Sequence, residues 1–335
     1  MSIIPEDIID QIKFIRSRCT EIKPLLAIQC LTYNHNPFLK DTLNGFISQK
    51  TNFPFVAIVH EDASTDNTAQ ILKEYMDKYP DIILPIFEKE NQYSKRGAPL
   101  IEIIRQALRA TGAKYIAICE GDDYWTNPHK LQEQVNYLES HPDYSLCYTK
   151  VSRYNQSSKT IEDEFGGPTE SFESLLIQNT IPTLSCLILA QDFFNYYLQI
   201  EPAKRNWLMG DYPMWLYIAA KKKIKFININ TGVYRILENS ASHSRNLSRN
   251  LKFHISYREI ALFFAEKFNS SNKSIVKTDL LFWEFAQKAV IEQKAKLKDK
   301  LHIFKILSNN KRKLAILLSL LSNKLFVKVI ARKFK

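Results

Sequence analysis

Apolar runs and polar stretches alternate in a regular order along the first half of the chain. Leu25–Leu31 (LLAIQCL), Phe55–His60 (FVAIVH), Ile83–Phe87 and Tyr115–Cys119 (YIAIC) are short, continuously apolar segments, the pattern of strands buried on both faces. Between them, Pro37–Gln49, Asp66–Tyr79 and Pro99–Arg109 carry helical spacing; Ile71, Leu72, Tyr75 and Met76 share one face. A helix over Pro128–Ser140, with proline at its first position, and a fifth strand over Ser145–Val151 continue the series. A short helix over residues 5–18, opened by Pro5-Glu6-Asp7, precedes it and puts Ile8, Ile9, Ile12 and Ile15 on one face. Residues 152–182 are polar, contain Gly166-Gly167-Pro168 and read as a long loop. Leu184–Ala190 and Ile224–Ile229 read as further strands, with Tyr212–Ala220 helical between them. Beyond residue 240 the pattern is helical, over Leu251–Phe268 and Ile275–Lys298.

Alternating strands and helices with apolar strands predict an α/β fold, a parallel sheet covered on both faces. Ligands then bind beyond the carboxyl ends of the strands, in loops 32–36, 60–66, 88–97 and 120–127. None of these loops contains GxGxxG or GxxxxGK[ST], and the chain has only eight glycines, so a glycine-rich phosphate cradle is not expected.

The charge changes the picture of the far end. The 335 residues hold 46 Lys/Arg and 35 Asp/Glu, a formal net charge of +11. Residues 294–335 hold 13 of the basic residues and one acidic residue, Asp299, a local net of +12, so residues 1–293 carry −1. A near-neutral body with a basic tail excludes a dedicated nucleic-acid binder, whose positive charge would spread over the body. Hydrophobic residues at 45% suffice for a large core and argue against disorder. Cys19, Cys30, Cys119, Cys147 and Cys186 are odd in number and lack CxxC spacing, and the last four sit in apolar runs. They read as buried thiols of a reducing compartment, neither a disulfide frame nor a zinc site. The N-terminal MSIIPEDIIDQIKF is acidic and amphipathic, unlike a secretory signal. No apolar run reaches the length of about 18 residues that a spanning helix needs.

Two strand ends carry the chemistry. In CEGDDYWTNPHKL, Cys119 to Leu131, Glu120, Asp122 and Asp123 follow a buried strand directly. Carboxylates this close repel unless a cation neutralises them, and oxygen ligands at this density suit Mg²⁺ or Mn²⁺; the alternative, an acidic turn capping the helix at Pro128, does not explain the cluster, since Asn127 already serves as a cap. In VHEDASTDNT, Val59 to Thr68, Glu61 and Asp62 sit where a carboxylate can accept from a ribose or a base N–H, while Thr65 and Asp66 suit helix capping.

Taken together these motifs resemble the family 2 glycosyltransferases of the GT-A fold. The match runs over residues 24–240: Leu31-Thr32-Tyr33-Asn34 after the first strand, Glu61-Asp62-Ala63-Ser64-Thr65-Asp66 after the second, and Gly121-Asp122-Asp123 after the fourth. The resemblance implies a mostly parallel sheet flanked by helices. It places Thr32, Tyr33 and Asn34 in a nucleotide pocket, Glu61 against the base or ribose, and Asp122 and Asp123 on a metal holding the donor diphosphate. Asp62, and Asn91, Lys95 and Arg96 of the third loop, join the nucleotide side. Asp211, just before the helix in WLMGDYPMWLYIAAK, takes the place of the general base; a plain helix cap is the alternative. Trp207, Tyr212 and Trp215 read equally as sugar platforms or core. His243 takes the place of a third metal ligand and Arg235 that of a phosphate partner. The family's usual first Asp of the second motif is Glu61 here, and its usual glycine is Ala63.

The implied activity is inverting, metal-dependent transfer of a hexosyl or N-acetylhexosaminyl group. The donor is a nucleotide sugar, UDP-linked by expectation, and the acceptor a hydroxyl of a glycan or lipid-linked glycan, with Mn²⁺ or Mg²⁺ as cofactor. A nucleotidyltransferase of related fold and a non-catalytic, membrane-docked scaffold are the rivals. The expected organisation is an N-terminal helix (1–23), a catalytic domain (24–245), a helical extension (246–293) and a basic amphipathic tail (294–335). The tail segment Lys311–Lys335 carries Leu, Ile and Phe among its basic residues and suits an anionic membrane surface. That reading makes the protein cytoplasmic and peripheral at the inner face of the cell membrane. A partner-protein helix, a homo-oligomer contact and a solvated terminal helix are the other readings of the tail.

Overall fold

The computed structural model describes residues 4–93, 98–238, 246–307 and 309–332. The chain divides into two compact units. The first comprises Met1–Glu170, Thr180–Arg205 and Lys221–Arg235; the second comprises Ser171–Asn179, Asn206–Ala220 and Ile236–Lys335. The strands are β1 (Leu26–Thr32), β2 (Phe55–Glu61), β3 (Ile83–Phe87), β4 (Tyr115–Ile118), β5 (Tyr124–Trp125), β6 (Tyr144–Asn155), β7 (Thr160–Phe165), β8 (Leu187–Leu189) and β9 (Lys223–Ile236). The helices are α1 (Glu6–Ile22), α2 (Leu39–Ile47), α3 (Thr68–Lys78), α4 (Ala98–Thr111), α5 (Lys130–Ser140), α6 (Phe172–Ile177), α7 (Ala190–Ile200), α8 (Tyr212–Ala219), α9 (Leu247–Lys267), α10 (Lys273–Val290), α11 (Leu297–Ile306), α12 (Asn310–Leu321) and α13 (Asn323–Ala331).

In the first unit one nine-stranded sheet runs β3-β2-β1-β4-β8-β6-β9-β5, with β7 paired to β6. β1 to β4 are parallel, and their apolar runs bury both faces. Leu26, Ile28 and Cys30 pack on one side with Leu39, Leu43 and Phe46 of α2, Ile71 and Leu72 of α3, and Leu131, Val135 and Leu138 of α5. The other half of the sheet is antiparallel where its pairing is resolved: β8 to β4, β6 to β8, β7 to β6, and β5 to β9. The expected parallel sheet thus covers only its first four strands, because apolar runs specify burial and not strand direction.

α1 covers the edge strand. Ile8, Ile12, Ile15 and Cys19 are buried, while Ile9, expected on the same face, is exposed. Gln11 closes the unpaired edge of β3: its Nε2 donates to the Phe87 carbonyl at 3.1 Å and its Oε1 accepts from the Phe87 N–H at 2.8 Å. The helix runs past residue 18 to Ile22 and stops where Lys23 turns left-handed before Pro24.

Two further expectations are corrected. The helix expected from Pro128 begins at Lys130, because the Pro128 carbonyl accepts from the Lys50 N–H at 2.8 Å. Asn127 closes the preceding turn by accepting from the His129 N–H at 2.8 Å. Residues 152–182 are not one loop: β6 extends to Asn155 and returns as β7, and α6 follows. β7 is exposed along most of its length and so shows no apolar periodicity, and the capping box of α6 pairs Ser171 with Ser174 instead of a Glu or Gln.

The second unit is helical. Phe282, Trp283, Phe285 and Ala286 of α10 form its core with Ile303, Leu307, Ile316, Phe326 and Ile330. Arg258 ties α6 to this core. Its guanidinium donates to the Leu176 and Ile177 carbonyls at 3.0 and 3.1 Å and pairs with Asp279 at 2.5 Å. Arg312 of α12 pairs with the same carboxylate.

Candidate active site

Register brings the predicted loops to one edge. Thr32 pairs with Glu61, and Glu61 with Phe87, so β1, β2 and β3 end level. β4 stops earlier, but its following residues continue the ladder: the Cys119 N–H donates to Gln29 O at 3.0 Å and the Gly121 N–H to Leu31 O at 2.9 Å. The acidic loop therefore crosses the end of β1.

The first two loops are cross-braced. Asn34 adopts a left-handed conformation at φ +54°, its N–H donates to Ser64 Oγ at 2.9 Å, and its Oδ1 accepts from the Thr65 N–H at 2.8 Å. Asp66 caps α3 by accepting from Thr68 N–H at 2.9 Å and Thr68 Oγ1 at 2.5 Å, and it also accepts from Asn36 N–H at 3.1 Å. Burial opposes its ionisation, but these donors outweigh it and hold the carboxyl below the usual range. Tyr33 is exposed and Thr32 buried.

Glu61 and Asp62 are both buried. Glu61 Oε1 accepts from the Ser64 N–H at 2.8 Å, closing its own turn. That turn places Ala63 at φ +58°, a conformation that favours glycine. Asp62 holds the third loop: its two oxygens accept from the Gln92 and Tyr93 N–H groups at 2.6 and 3.0 Å, and Asn91 Nδ2 donates to the Asp62 carbonyl at 3.3 Å. His60, Glu88 and Gln92 form a buried network beneath, with His60 Nε2 and Glu88 Oε1 3.1 Å apart. Lys95, Arg96 and His243 lie outside the described residues.

The acidic loop rests on contacts that local sequence does not announce. Thr42 Oγ1 donates to the Gly121 and Asp123 carbonyls at 3.0 and 2.6 Å. The Arg235 N–H donates to Asp123 Oδ1 at 2.8 Å, and its guanidinium donates to the Asp122 carbonyl at 2.7 Å and pairs with Asp41. The same guanidinium stacks over Phe38 and Tyr124, 5.2 and 4.5 Å from the ring centres. Arg235, expected to meet a phosphate, is buried and engaged with the acidic loop itself. Gly121 has no room for a side chain: a Cβ would lie 2.7 Å from Thr32 Oγ1 and 2.8 Å from His35 Nδ1. Those two atoms are buried with no hydrogen-bond partner among the described residues.

Asp123 is buried, and Asp122 half-buried beside it. Burial, and then the charge of Asp122, push the Asp123 carboxyl well above its usual range. The Cys30 thiol is likewise pushed up, first by burial and then by Glu120, Asp122 and Asp123. A hard divalent cation would reverse the penalty on Asp123, so the donor chemistry of the pair fits one. Among the described residues no group of three or more His, Cys, Asp or Glu side chains is placed to hold a metal ion.

Asp211 belongs to the second unit and stands at the N-cap of α8, where its carboxylate accepts from the Tyr212 N–H at 2.7 Å. Tyr212 and Trp215 are fully buried, and Trp207 packs its ring 5.4 Å from that of Phe263. Tyr212 Oη donates to the Leu175 carbonyl at 2.8 Å. Tyr212 and Trp215 are therefore core, not sugar platforms.

A cavity of about 590 Å³ lies at the opposite ends of the strands, where Tyr115 begins β4 and Leu189 ends β8, away from these loops. All five cysteines are buried and none is in a disulfide, and among the described residues no helix is long and apolar enough to cross a membrane.

Comparison with known proteins agrees with the loop geometry. An uncharacterized protein of Mycobacterium tuberculosis is 34% identical over 175 residues, which cover 51% of this chain and 48% of that protein. The chain thus spans about half the length of that relative. The UDP-Glc:alpha-D-GlcNAc-diphosphoundecaprenol beta-1,3-glucosyltransferase WfaP of Escherichia coli is 24% identical over 253 residues, 72% of this chain and 92% of that one. Among solved structures, S. aureus TarS 1-349 in complex with UDP-GlcNAc superposes with a TM-score of 0.56 at 16% identity, over 84% of this chain and 79% of that one. The mannosyltransferase PcManGT from Pyrobaculum calidifontis, in complex with GDP-Man and Mn²⁺, gives a TM-score of 0.53 at 14% identity, over 97% and 95% of the two chains. At these identities the likeness to the solved structures is one of fold. The family model described as glycosyl transferase family 2 matches residues 30–194, which contain all three loops. Residues 30–194 are a glycosyl transferase family 2 domain, and the chain carries the GT-A fold.

Proposed function

We propose that the protein transfers a sugar from a nucleotide-sugar donor, UDP-linked, to a hydroxyl of a glycan or lipid-linked glycan, with inversion at the anomeric carbon. The observation that carries this reading is the convergence of loops 32–36, 61–66 and 120–123 at one edge of adjacent parallel strands, braced by Asn34, Thr42 and Arg235. The relative WfaP, by its name, uses UDP-Glc and a lipid-diphosphate-linked acceptor, which supports both halves of the proposal.

In this reading Glu61 and the first loop hold the nucleotide, and Asp62 sets the third loop against it. Asp122 and Asp123 would hold a Mn²⁺ or Mg²⁺ ion, with His243 as a further ligand, and Lys95 and Arg96 would meet the diphosphate. Such an ion, when bound, would supply charge neutralisation for the leaving diphosphate. Asp211 takes the proton from the acceptor hydroxyl as its oxygen attacks, since a single displacement needs one base. The neighbour bound to GDP-Man and Mn²⁺ supports a divalent cation in this fold. The basic residues of 294–335 place the catalyst at an anionic membrane surface at the cytoplasmic face.

Thermal shift with nucleotide sugars and Mn²⁺, together with turnover, tests the roles. Asp122→Asn is expected to lose the metal-dependent, donor-induced shift and all transfer. Asp211→Asn should keep that shift and lose roughly 10²–10⁴-fold in turnover. Equal loss of donor binding in both variants, or full turnover in Asp211→Asn, would overturn the assignment.

A further inference from the structure

The basic tail is not a lone amphipathic helix. α11, α12 and α13 each turn an apolar stripe inward, through Ile303 and Leu307, Ala315 and Ile316, and Phe326 and Ile330, onto the core of the second unit. A second set of leucines is left over. Leu297 (62% exposed), Leu301 (48%), Leu314 (57%), Leu317 (43%) and Leu325 (43%) stand on the solvent side of the three helices. Exposed lysines accompany them at helical spacing: Lys298 and Lys305 on α11, and Lys328 three residues after Leu325 on α13. The one carboxylate of residues 294–335, Asp299, is already held by Lys288 Nζ at 3.0 Å and the Lys296 N–H at 2.9 Å.

We propose that the outer faces of α11, α12 and α13 form a preformed docking surface for an anionic lipid bilayer, the leucines entering the interface and the lysines meeting the headgroups. The inner stripes already satisfy the fold, so the exposed leucines are surplus to it and form an apolar surface that asks for a partner. The charge selects which partner. A local net of +12, against −1 for the rest of the chain, matches a diffuse anionic field better than a protein surface, which would need matched acidic positions. The helices bury their inner stripes in protein, so they lie on the bilayer and do not cross it. This surface deepens the membrane placement proposed above; its use, holding a catalyst beside a membrane-bound acceptor, rests on the transfer reading, whereas vesicle binding can be read without transfer.

Co-sedimentation of the full chain with vesicles of phosphatidylcholine alone, and of phosphatidylcholine with phosphatidylglycerol, tests the proposal. The wild type is expected to bind the anionic vesicles only and to be released by salt. The triple variant Lys298→Gln/Lys305→Gln/Lys328→Gln should lose roughly a hundredfold in partitioning. Leu314→Ser/Leu317→Ser, which replaces exposed side chains only, should lose about tenfold. Both variants should retain the far-ultraviolet circular dichroism of the wild type and its hydrolysis of donor in solution. Absence of wild-type binding to anionic vesicles, or unchanged binding in folded variants, overturns the proposal. So does sizing that shows a wild-type dimer which the leucine variant turns into a monomer, with no vesicle binding. Vesicle binding without donor hydrolysis would instead sink the transfer reading and leave the docking surface standing.

Discussion

Lys130 offers a test of how the first unit is held together. Its side chain is fully buried, donates to Gln134 Oε1 at 2.7 Å and lies 4.2 Å from the ring centre of Trp125, which follows the acidic loop. Burial, only partly offset by the neighbouring thiols, pushes its pKa down from the usual 10.5 to about 8. The folded state therefore releases this proton before the unfolded state does. At pH 7 both states are protonated and the whole penalty of a buried ammonium is present. Between pH 8 and 10.5 the unfolded chain binds more protons, so stability rises with pH, and above 10.5 the penalty is gone. At 1.36 kcal/mol per pKa unit that penalty is about 3 kcal/mol. Lys130→Met removes it, but also gives up the cation–π contact and the hydrogen bond to Gln134, together about 1–2 kcal/mol. Gln134 keeps its bond from Nε2 to the Ser185 carbonyl at 2.7 Å. The variant is thus expected to be about 1–2 kcal/mol more stable than wild type at pH 7 and, once the wild-type amine is neutral and its cation–π contact is lost as well, less stable by about 1 kcal/mol, the hydrogen bond alone, at the alkaline end. Urea unfolding followed by tryptophan fluorescence, at intervals from neutral to alkaline pH, reads the difference between the two proteins directly. A difference that stays flat across this range, or a variant already weaker at pH 7, would refute the buried-charge argument.

Ala63→Gly relieves a left-handed alanine in the second loop and should stabilise the protein by about 0.5–1 kcal/mol, measured as a higher urea midpoint; an unchanged or lower midpoint would mean the turn relaxes at no cost. Gly121→Ala drives a methyl against Thr32 and His35 and should cost about 1–3 kcal/mol while displacing Asp122 and Asp123, so donor-induced thermal shift should vanish with it; retained donor binding would show that the acidic loop tolerates displacement.

Much of the site was legible because its signals are local. A loop that follows a buried strand begins at the sheet edge, so Thr32, Glu61 and Asp122 could be placed there from apolar runs alone. The roles within the site were less legible. Asp62 looks like a ligand-facing carboxylate, yet its two oxygens are engaged by the Gln92 and Tyr93 N–H groups. Ala63 stands where the resembled family has glycine, and only its φ of +58° shows that the turn needs the left-handed region. Aromatic residues at helical spacing do not declare whether they stack on a sugar or on each other, and Tyr212 and Trp215 proved to be core.

By itself the sequence determined the alternation of buried strands and amphipathic helices, the chemistry at the ends of β1, β2 and β4, and the separation of a near-neutral body from a basic tail. These follow from side-chain type and from periods of two and 3.6 residues, which any short window contains. Only the tertiary structure decided that half the sheet is antiparallel, since apolar runs carry no direction. It also brought Arg235 from 112 residues away onto Asp123, and from 194 residues away onto Asp41. It divided the tail's apolar residues into an inner stripe, mostly isoleucine and phenylalanine, and an outer set of leucines. Each of these depends on contacts between segments far apart in the chain, where burial and charge are settled by what packs alongside and not by the neighbours in sequence.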